Sequence, residues 1–85
     1  MRREPEFFGD REMVLVYIAK RLREALNLES VLTAAGLDYA VEADHYLGGV
    51  MFRRQRAGAF FYVLPEAREA ASRLLAEHGY QALPD

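Results

Sequence analysis

Three arginines near the middle of the chain are the residues best suited to bind a ligand. Arg53, Arg54 and Arg56 follow Gly48-Gly49 and precede Gly58. Guanidinium groups bind phosphate and carboxylate oxygens in pairs, and glycine lets the backbone come close to a ligand. The cluster therefore predicts contact with a small anion. The alternative interpretation is a solvated hairpin tip whose charge balances the acidic helices.

Catalytic and metal-binding patterns are weak. Glu42 and Asp44 would share one face of a strand while His45 would face the other way, so the three donors do not converge as a metal ion requires. No serine or threonine stands in a nucleophile-elbow sequence. The sequence therefore predicts no catalytic residue, no metal ligand and no cofactor.

Aromatic residues in two apolar runs raise the question of RNA binding. Val16-Tyr17-Ile18 and Phe60-Phe61-Tyr62 place rings where an RNA-recognition motif stacks bases. However, residues 56–63 do not fit the basic-glycine-aromatic pattern of that motif, because a glycine stands at an aromatic position. The formal charge of −2 also argues against broad attraction to nucleic acid or anionic membranes. We therefore expect neither as a partner.

The size and composition limit the architecture. A chain of 85 residues has room for one domain with a thin core, and the absence of cysteine excludes disulfides and thiolate metal sites. Two arginines follow Met1, but no apolar signal segment comes after them, and no apolar run approaches membrane-spanning length. The sequence predicts a cytoplasmic protein.

The hydrophobic pattern divides the chain into an N-terminal arm, residues 1–12, and a single α+β domain, residues 13–85. The arm is polar around Phe7-Phe8 and is expected either to be flexible or to dock through these two aromatic residues. The predicted elements are a strand at 14–19, a helix at 21–35 that Gly36 ends, strands at 37–44 and 59–64, and a helix from 65 to Gly79. A long loop, residues 45–58, joins the last two strands. The order β-α-β-β-α, with a short or absent fourth strand, is typical of a ferredoxin-like split βαβ fold. That fold has an antiparallel sheet with both helices on one face.

The other face of that sheet would lack a cover within the chain. Large exposed apolar patches are uncommon in monomers, so a second subunit is the simplest cover. We expect a homo-oligomer whose interface includes Val16, Ile18, Phe61 and Val63.

Residues 14–79 resemble a small bacterial family described as prokaryotic signal-transducing proteins, a domain of unknown function. The resemblance is carried by Val16-Tyr17, Leu32-Thr33-Ala34-Ala35-Gly36-Leu37, Gly48-Gly49 and Tyr62-Val63-Leu64-Pro65-Glu66-Ala67. Members are similar in layout to the PII nitrogen-signalling proteins, which bind nucleotides between subunits and contact partners through a long loop after strand two. The resemblance implies that role for residues 45–58. This segment is shorter than a PII loop and lacks a matching nucleotide-binding motif, so no ligand identity is implied.

Two functions follow as expectations. The first is a non-enzymatic binding or regulatory module, oligomeric, that contacts a small anion or a protein partner through residues 45–58. The alternative is a small enzyme with its site at a subunit interface, where Tyr39, His45 or Tyr62 would donate protons.

Overall fold

The chain folds as a small α+β structure. The computed structural model describes residues 1–47 and 55–83, and the side chains of residues 1–42 and 58–83. Its elements are β1 (Val14–Ala19), α1 (Leu22–Ala34), β2 (Ala40–Leu47), β3 (Gln55–Val63) and α2 (Arg68–Glu77), with 3-10 turns at Pro5–Phe8 and Pro65–Ala67. Each predicted strand and helix is confirmed. No helix within these described ranges has the length and apolar character needed to cross a membrane.

The strands form one antiparallel sheet in the order β1-β3-β2, with β3 in the centre. The C-terminal segment runs beside the free edge of β1, where the Leu83 amide donates to the Val16 carbonyl at 2.8 Å. This segment does not form a fourth strand in the part of the chain that the structure describes. A single ladder bond leaves most of the β1 edge without a neighbouring strand.

The loop predicted at residues 45–58 is too long. β2 continues to Leu47 and β3 begins at Gln55, and these two residues pair with each other across the ladder. A β ladder is held by backbone N–H and C=O groups and does not require apolar side chains. The hydrophobic pattern therefore missed the polar and small residues at the start of β3, and it placed β2 three residues too early at both ends.

A β-bulge in β1 determines which residues face the helices. Leu15 pairs with Tyr62 and Tyr17 pairs with Phe61, so Val16 is an extra residue without a partner in β3. The bulge interrupts the alternation and turns both Val16 and Tyr17 toward the helical side. Val16 is fully buried, at 0% exposure, and Tyr17 packs against the same core.

Both helices pack on one face of the sheet. Ala25, Leu28 and Leu32 of α1 and Ala71 and Leu75 of α2 belong to one buried cluster. The strands and the segment before β2 contribute Val16, Ala19, Tyr39, Phe61 and Val63 to it. This cluster is the core that fixes the sheet relative to the helices.

The end of α1 confirms the predicted glycine stop. Gly36 has a φ of 77°, a left-handed conformation that glycine adopts without a side-chain penalty. The Leu37 amide donates to the Leu32 carbonyl at 3.1 Å, and the Gly36 amide donates to the Thr33 carbonyl at 3.0 Å, as in a Schellman ending. This turn directs the chain into the segment that the N-terminal arm contacts.

Candidate functional site

The N-terminal arm is docked rather than loose. Its first residues run parallel to the segment before β2: the Arg3 amide donates to the Tyr39 carbonyl at 2.8 Å, and the Tyr39 amide donates to the Met1 carbonyl at 3.1 Å. Of the two neighbouring phenylalanines, Phe8 is 6% exposed and Phe7 is 56% exposed. The backbone bonds and Phe8 therefore hold the arm against the domain.

Phe8 is buried outside the helix-covered core, because it is not part of that cluster. It borders a cleft of about 410 Å³ between the arm and the sheet, which we call the arm cleft. Its lining residues are Pro5, Phe8, Gly9, Arg11, Met13, Ala40, Val41, Glu42 and Tyr62. A volume of this size falls within the range of about 300–1,000 Å³ that is usual for small-molecule sites.

The sheet contributes outward-facing residues to this cleft. In β3, Phe61 and Val63 are buried under the helices, so Phe60 and Tyr62 face the opposite side, which we call the outer face. Ile18 lies opposite Phe60 and Leu15 lies opposite Tyr62. All four outer-face side chains are half-buried. The arm covers the end of this face at Tyr62.

The two charged residues of the arm cleft differ in their pairing. Arg11 Nη2 lies 2.5 Å from Glu66 Oε2, and this hydrogen bond holds the pKa of the Glu66 carboxyl below its ordinary value. Glu42 is exposed and forms no ion pair within the described part of the chain. The cleft therefore contains a cation that is already paired and a carboxylate that has no ion pair among the described residues.

A second polar network lies on the helical side of β1. The Tyr17 hydroxyl donates to Glu24 Oε2 at 3.0 Å, and Glu24 Oε1 accepts the Lys20 amide at 3.2 Å. Burial, and next the bond to Glu24, raise the pKa of Tyr17 to about 12. A glutamate in the first turn that binds a backbone N–H ahead of the helix is half of a capping box. This network stabilises the start of α1.

The predicted interface residues divide between the two sides of the sheet. Val16, Phe61 and Val63 are 0%, 1% and 0% exposed in the core under the helices, so they do not lie on the outer face. Ile18 is half-buried on the outer face. The bulge in β1 accounts for part of this result, because it changes the facing of residues on either side of it. An interface on the outer face stays a prediction, and its apolar residues are Leu15, Ile18, Phe60 and Tyr62.

Most of the predicted anion-binding residues are outside the part of the chain that the structure describes. These residues are Gly48, Gly49, Arg53 and Arg54. The backbone of Arg56 pairs with Tyr46 in the β2-β3 ladder, and its side chain is outside the described residues. Anion binding by this cluster stays a prediction.

One of the three proton donors in the enzyme hypothesis is inaccessible. Tyr39 is 1% exposed, and its hydroxyl donates to the Glu29 carbonyl at 3.1 Å and shares a hydrogen bond with Thr33 Oγ1 at 3.0 Å. Burial raises the pKa of Tyr39. A substrate cannot reach this hydroxyl without opening the core. Of the other two donors, Tyr62 borders the arm cleft, and the His45 side chain is outside the described residues.

Sequence reasoning did not predict that Arg11 and Glu42 border the same cleft. The two residues are far apart in sequence and line one cleft only because the arm crosses the end of the sheet. The available signal was Phe7-Phe8 followed by Gly9, an aromatic pair beside a turn in an otherwise polar segment. Within the described side chains, no group of histidine and carboxylate residues is arranged to hold a metal ion.

Comparison of the chain with protein-family models, curated proteins and solved structures found no match. The resemblance to the signal-transducing family therefore stays a prediction. The function of the arm cleft has to be argued from its own residues.

Proposed function

We propose that the chain is a non-enzymatic binding module and that the arm cleft is its ligand site. The ligand class that fits is a small molecule with an apolar body and one positively charged amine. The observation that carries the proposal is the Glu42 carboxylate, which stands without an ion pair among the described residues in a cleft bordered by Phe8 and Tyr62. Arg11 is a weaker attractor for an anion, because Glu66 already offsets its charge.

The expected selectivity follows from the interactions available to an amine. An exposed ion pair contributes about 0.2–1 kcal/mol, and a cation near an aromatic face contributes about 0.5–1 kcal/mol at an exposed site. Together they amount to about 1–2 kcal/mol, which corresponds to roughly tenfold tighter binding of an amine than of a neutral analogue of the same shape. The apolar lining binds either molecule by removing its hydrocarbon surface from water.

A matched pair of probes tests the ligand class. 2-Phenylethylamine and 2-phenylethanol have similar shapes and differ in charge, and titration of each can be followed by NMR shifts of the residues around the cleft. We expect the amine to bind roughly tenfold more tightly, and Glu42→Gln to reduce this preference to the roughly two- to fivefold that the aromatic contact alone provides. Glu77→Gln changes an exposed carboxylate on α2 and should leave it intact. Equal binding of both probes to the unchanged protein would refute the assigned ligand class.

A second pair of variants tests the location of the site. Ala40 borders the arm cleft and is half-buried, whereas Ala76 is exposed on α2. Ala40→Leu should fill part of the cleft and weaken binding of both probes, while Ala76→Leu should not. If Ala40→Leu keeps full affinity, the probes bind elsewhere on the protein.

The proposal also includes a specific fold for the sheet and the two helices. We infer a ferredoxin-like sheet that lacks its fourth strand. This assignment is supported by the order β1-β3-β2 and by Leu83, which lies beside β1 where a fourth strand would pair. A regulatory role of the kind implied by the signal-transducing family is consistent with this assignment. A cytoplasmic location remains part of the proposal.

A further inference from the structure

The outward side of α1 carries two exposed leucines. Leu22 is 75% exposed and Leu26 is 56% exposed. Residues four apart lie side by side on a helix, so the two side chains form one apolar stripe at the start of α1. Single exposed apolar residues are ordinary on protein surfaces. Two that lie side by side on one helix form an apolar patch to which a partner could bind.

Three cationic residues lie close to the two leucines in sequence, whereas the nearby carboxylates Glu24 and Glu29 already bind Tyr17 and Arg2. Lys20, Arg21 and Arg23 are all exposed, and none of the three forms an ion pair with a carboxylate in the described ranges. We call Lys20, Arg21, Arg23 and the two leucines the α1 surface. A partner for it needs an exposed apolar group flanked by carboxylates.

The N-terminal arm of the same protein has that chemistry. Phe7 is 56% exposed, with the Arg3 guanidinium 4.5 Å from its ring centre. The arm also carries four exposed carboxylates that form no ion pair within the part of the chain that the structure describes: Glu4, Glu6, Asp10 and Glu12. The arm also carries Arg2, Arg3 and Arg11, but these pair with Glu29, Asp38 and Glu66 of the domain. The charge that the arm leaves unpaired among the described residues is therefore acidic, and with Phe7 it complements the α1 surface.

We propose that the arm of one copy docks on the α1 surface of another copy. The proposal rests on the opposite charges of the arm and the α1 surface, each of which also has exposed apolar side chains at its centre. Because the two surfaces differ, the contact is head-to-tail and can repeat into rings or open assemblies. It is distinct from an interface through the outer face of the sheet. Interactions between exposed charges are screened by salt, so the assembly should weaken as ionic strength rises.

The first test is sedimentation velocity of the full chain at high protein concentration. We expect assembly in about 20 mM salt and dissociation in about 500 mM salt. Two double variants reverse one surface each: Arg21→Glu/Arg23→Glu makes the α1 surface acidic, and Glu4→Lys/Glu6→Lys makes the arm basic. Each variant should be monomeric at low salt, because its arm and its α1 surface then carry charge of the same sign. An equimolar mixture of these two variants should assemble again, because each reversed surface then meets its complement.

Two controls separate this contact from effects of net charge and of folding. Glu69→Lys/Glu77→Lys alters the formal charge as much as Glu4→Lys/Glu6→Lys does, but on α2, and should assemble like the unchanged protein. Leu22→Ala/Leu26→Ala keeps good helix-forming residues and should weaken assembly roughly tenfold while preserving the circular dichroism spectrum. A monomeric unchanged protein at low salt would overturn the proposal. The proposal would also be overturned if the equimolar mixture stayed monomeric, if either charge-reversed variant still assembled alone, or if the α2 control lost assembly.

Discussion

Phe8→Ala is the sharpest test of the docked arm. Phe8 is 6% exposed and lies outside the helix-covered core, so its removal should release the arm while the rest of the domain stays folded. Fully burying a phenylalanine side chain contributes about 1.5–3 kcal/mol. Since about 1.4 kcal/mol corresponds to a factor of ten, the substitution should increase the population with an undocked arm roughly 10- to 150-fold.

Amide hydrogen exchange measures that population directly. The Arg3 and Tyr39 amides are protected only while the arm pairs with the segment before β2, because their acceptors are the Tyr39 and Met1 carbonyls. In the Phe8→Ala variant both amides should exchange faster by the same factor. Amides of β1 and β3 that pair with each other should be almost unaffected, since local opening does not require global unfolding.

The neighbouring phenylalanine provides the control. Phe7 is 56% exposed, and its ring contacts with Phe8 and Arg3 lie within the arm itself. Phe7→Ala should therefore accelerate exchange at both amides much less than Phe8→Ala does. Unchanged protection of Arg3 and Tyr39 in Phe8→Ala would refute the reasoning, because Phe8 would then not hold the arm. An equal acceleration at every amide would mean that the arm and the core unfold together.

Three further predictions concern stability and ionisation. Burial raises the pKa of Tyr17 from 10.0 to about 12, so the folded state favours the protonated phenol. The associated stability, about 1–3 kcal/mol after allowance for solvent screening, should be complete below pH 10 and lost as pH rises toward 12. Tyr17→Phe should flatten this alkaline loss in urea unfolding measured at successive pH values, and an unchanged slope would contradict the prediction. Gly36 has a φ of 77° and no atom within 4 Å of an added Cβ, so Gly36→Ala should cost only the conformational penalty, about 1–2 kcal/mol by urea unfolding. Gly36→Asn should cost less, and equal costs would show that left-handed geometry is not the cause. Arg11→Gln should raise the pKa of Glu66 toward its ordinary value in an NMR titration, and an unmoved pKa would show that the pair is not formed in solution.

The sequence was sufficient for the order of the elements and for the helix ends. Apolar runs marked β1 and the end of β3, and Gly36 marked the end of α1 because the left-handed conformation there favours glycine. The sequence did not indicate which side chains of the sheet lie under the helices and which lie on the outer face. A continuous apolar run such as residues 14–18 has no period of two, so the bulge at Val16 left no signal, and Phe61 and Val63 were assigned to the wrong side of β3.

The candidate site depends on tertiary structure in a way that no local pattern reports. Phe7 and Phe8 are identical residues in a polar segment, and only the path of the backbone decides which of them is buried. The same path brings Arg11 beside Glu66 and completes a cleft with Glu42 on its other wall. Composition predicted that the arm had aromatic groups available for docking, but not where they would dock.

The two proposals share the arm, so they should be thermodynamically linked. Pro5, Phe8 and Arg11 border the arm cleft, whereas Phe7 and the carboxylates of Glu4 and Glu6 lie exposed on the same segment. A ligand that binds only the docked arm also fixes the surface that a second copy would contact. Linkage requires that assembly then tighten ligand binding by the same factor. A dilution series with and without 2-phenylethylamine measures this coupling. In Glu42→Gln, where the amine binds less tightly, the same amine concentration should have a smaller effect on assembly, and an unchanged effect there would mean that the amine does not act through the cleft.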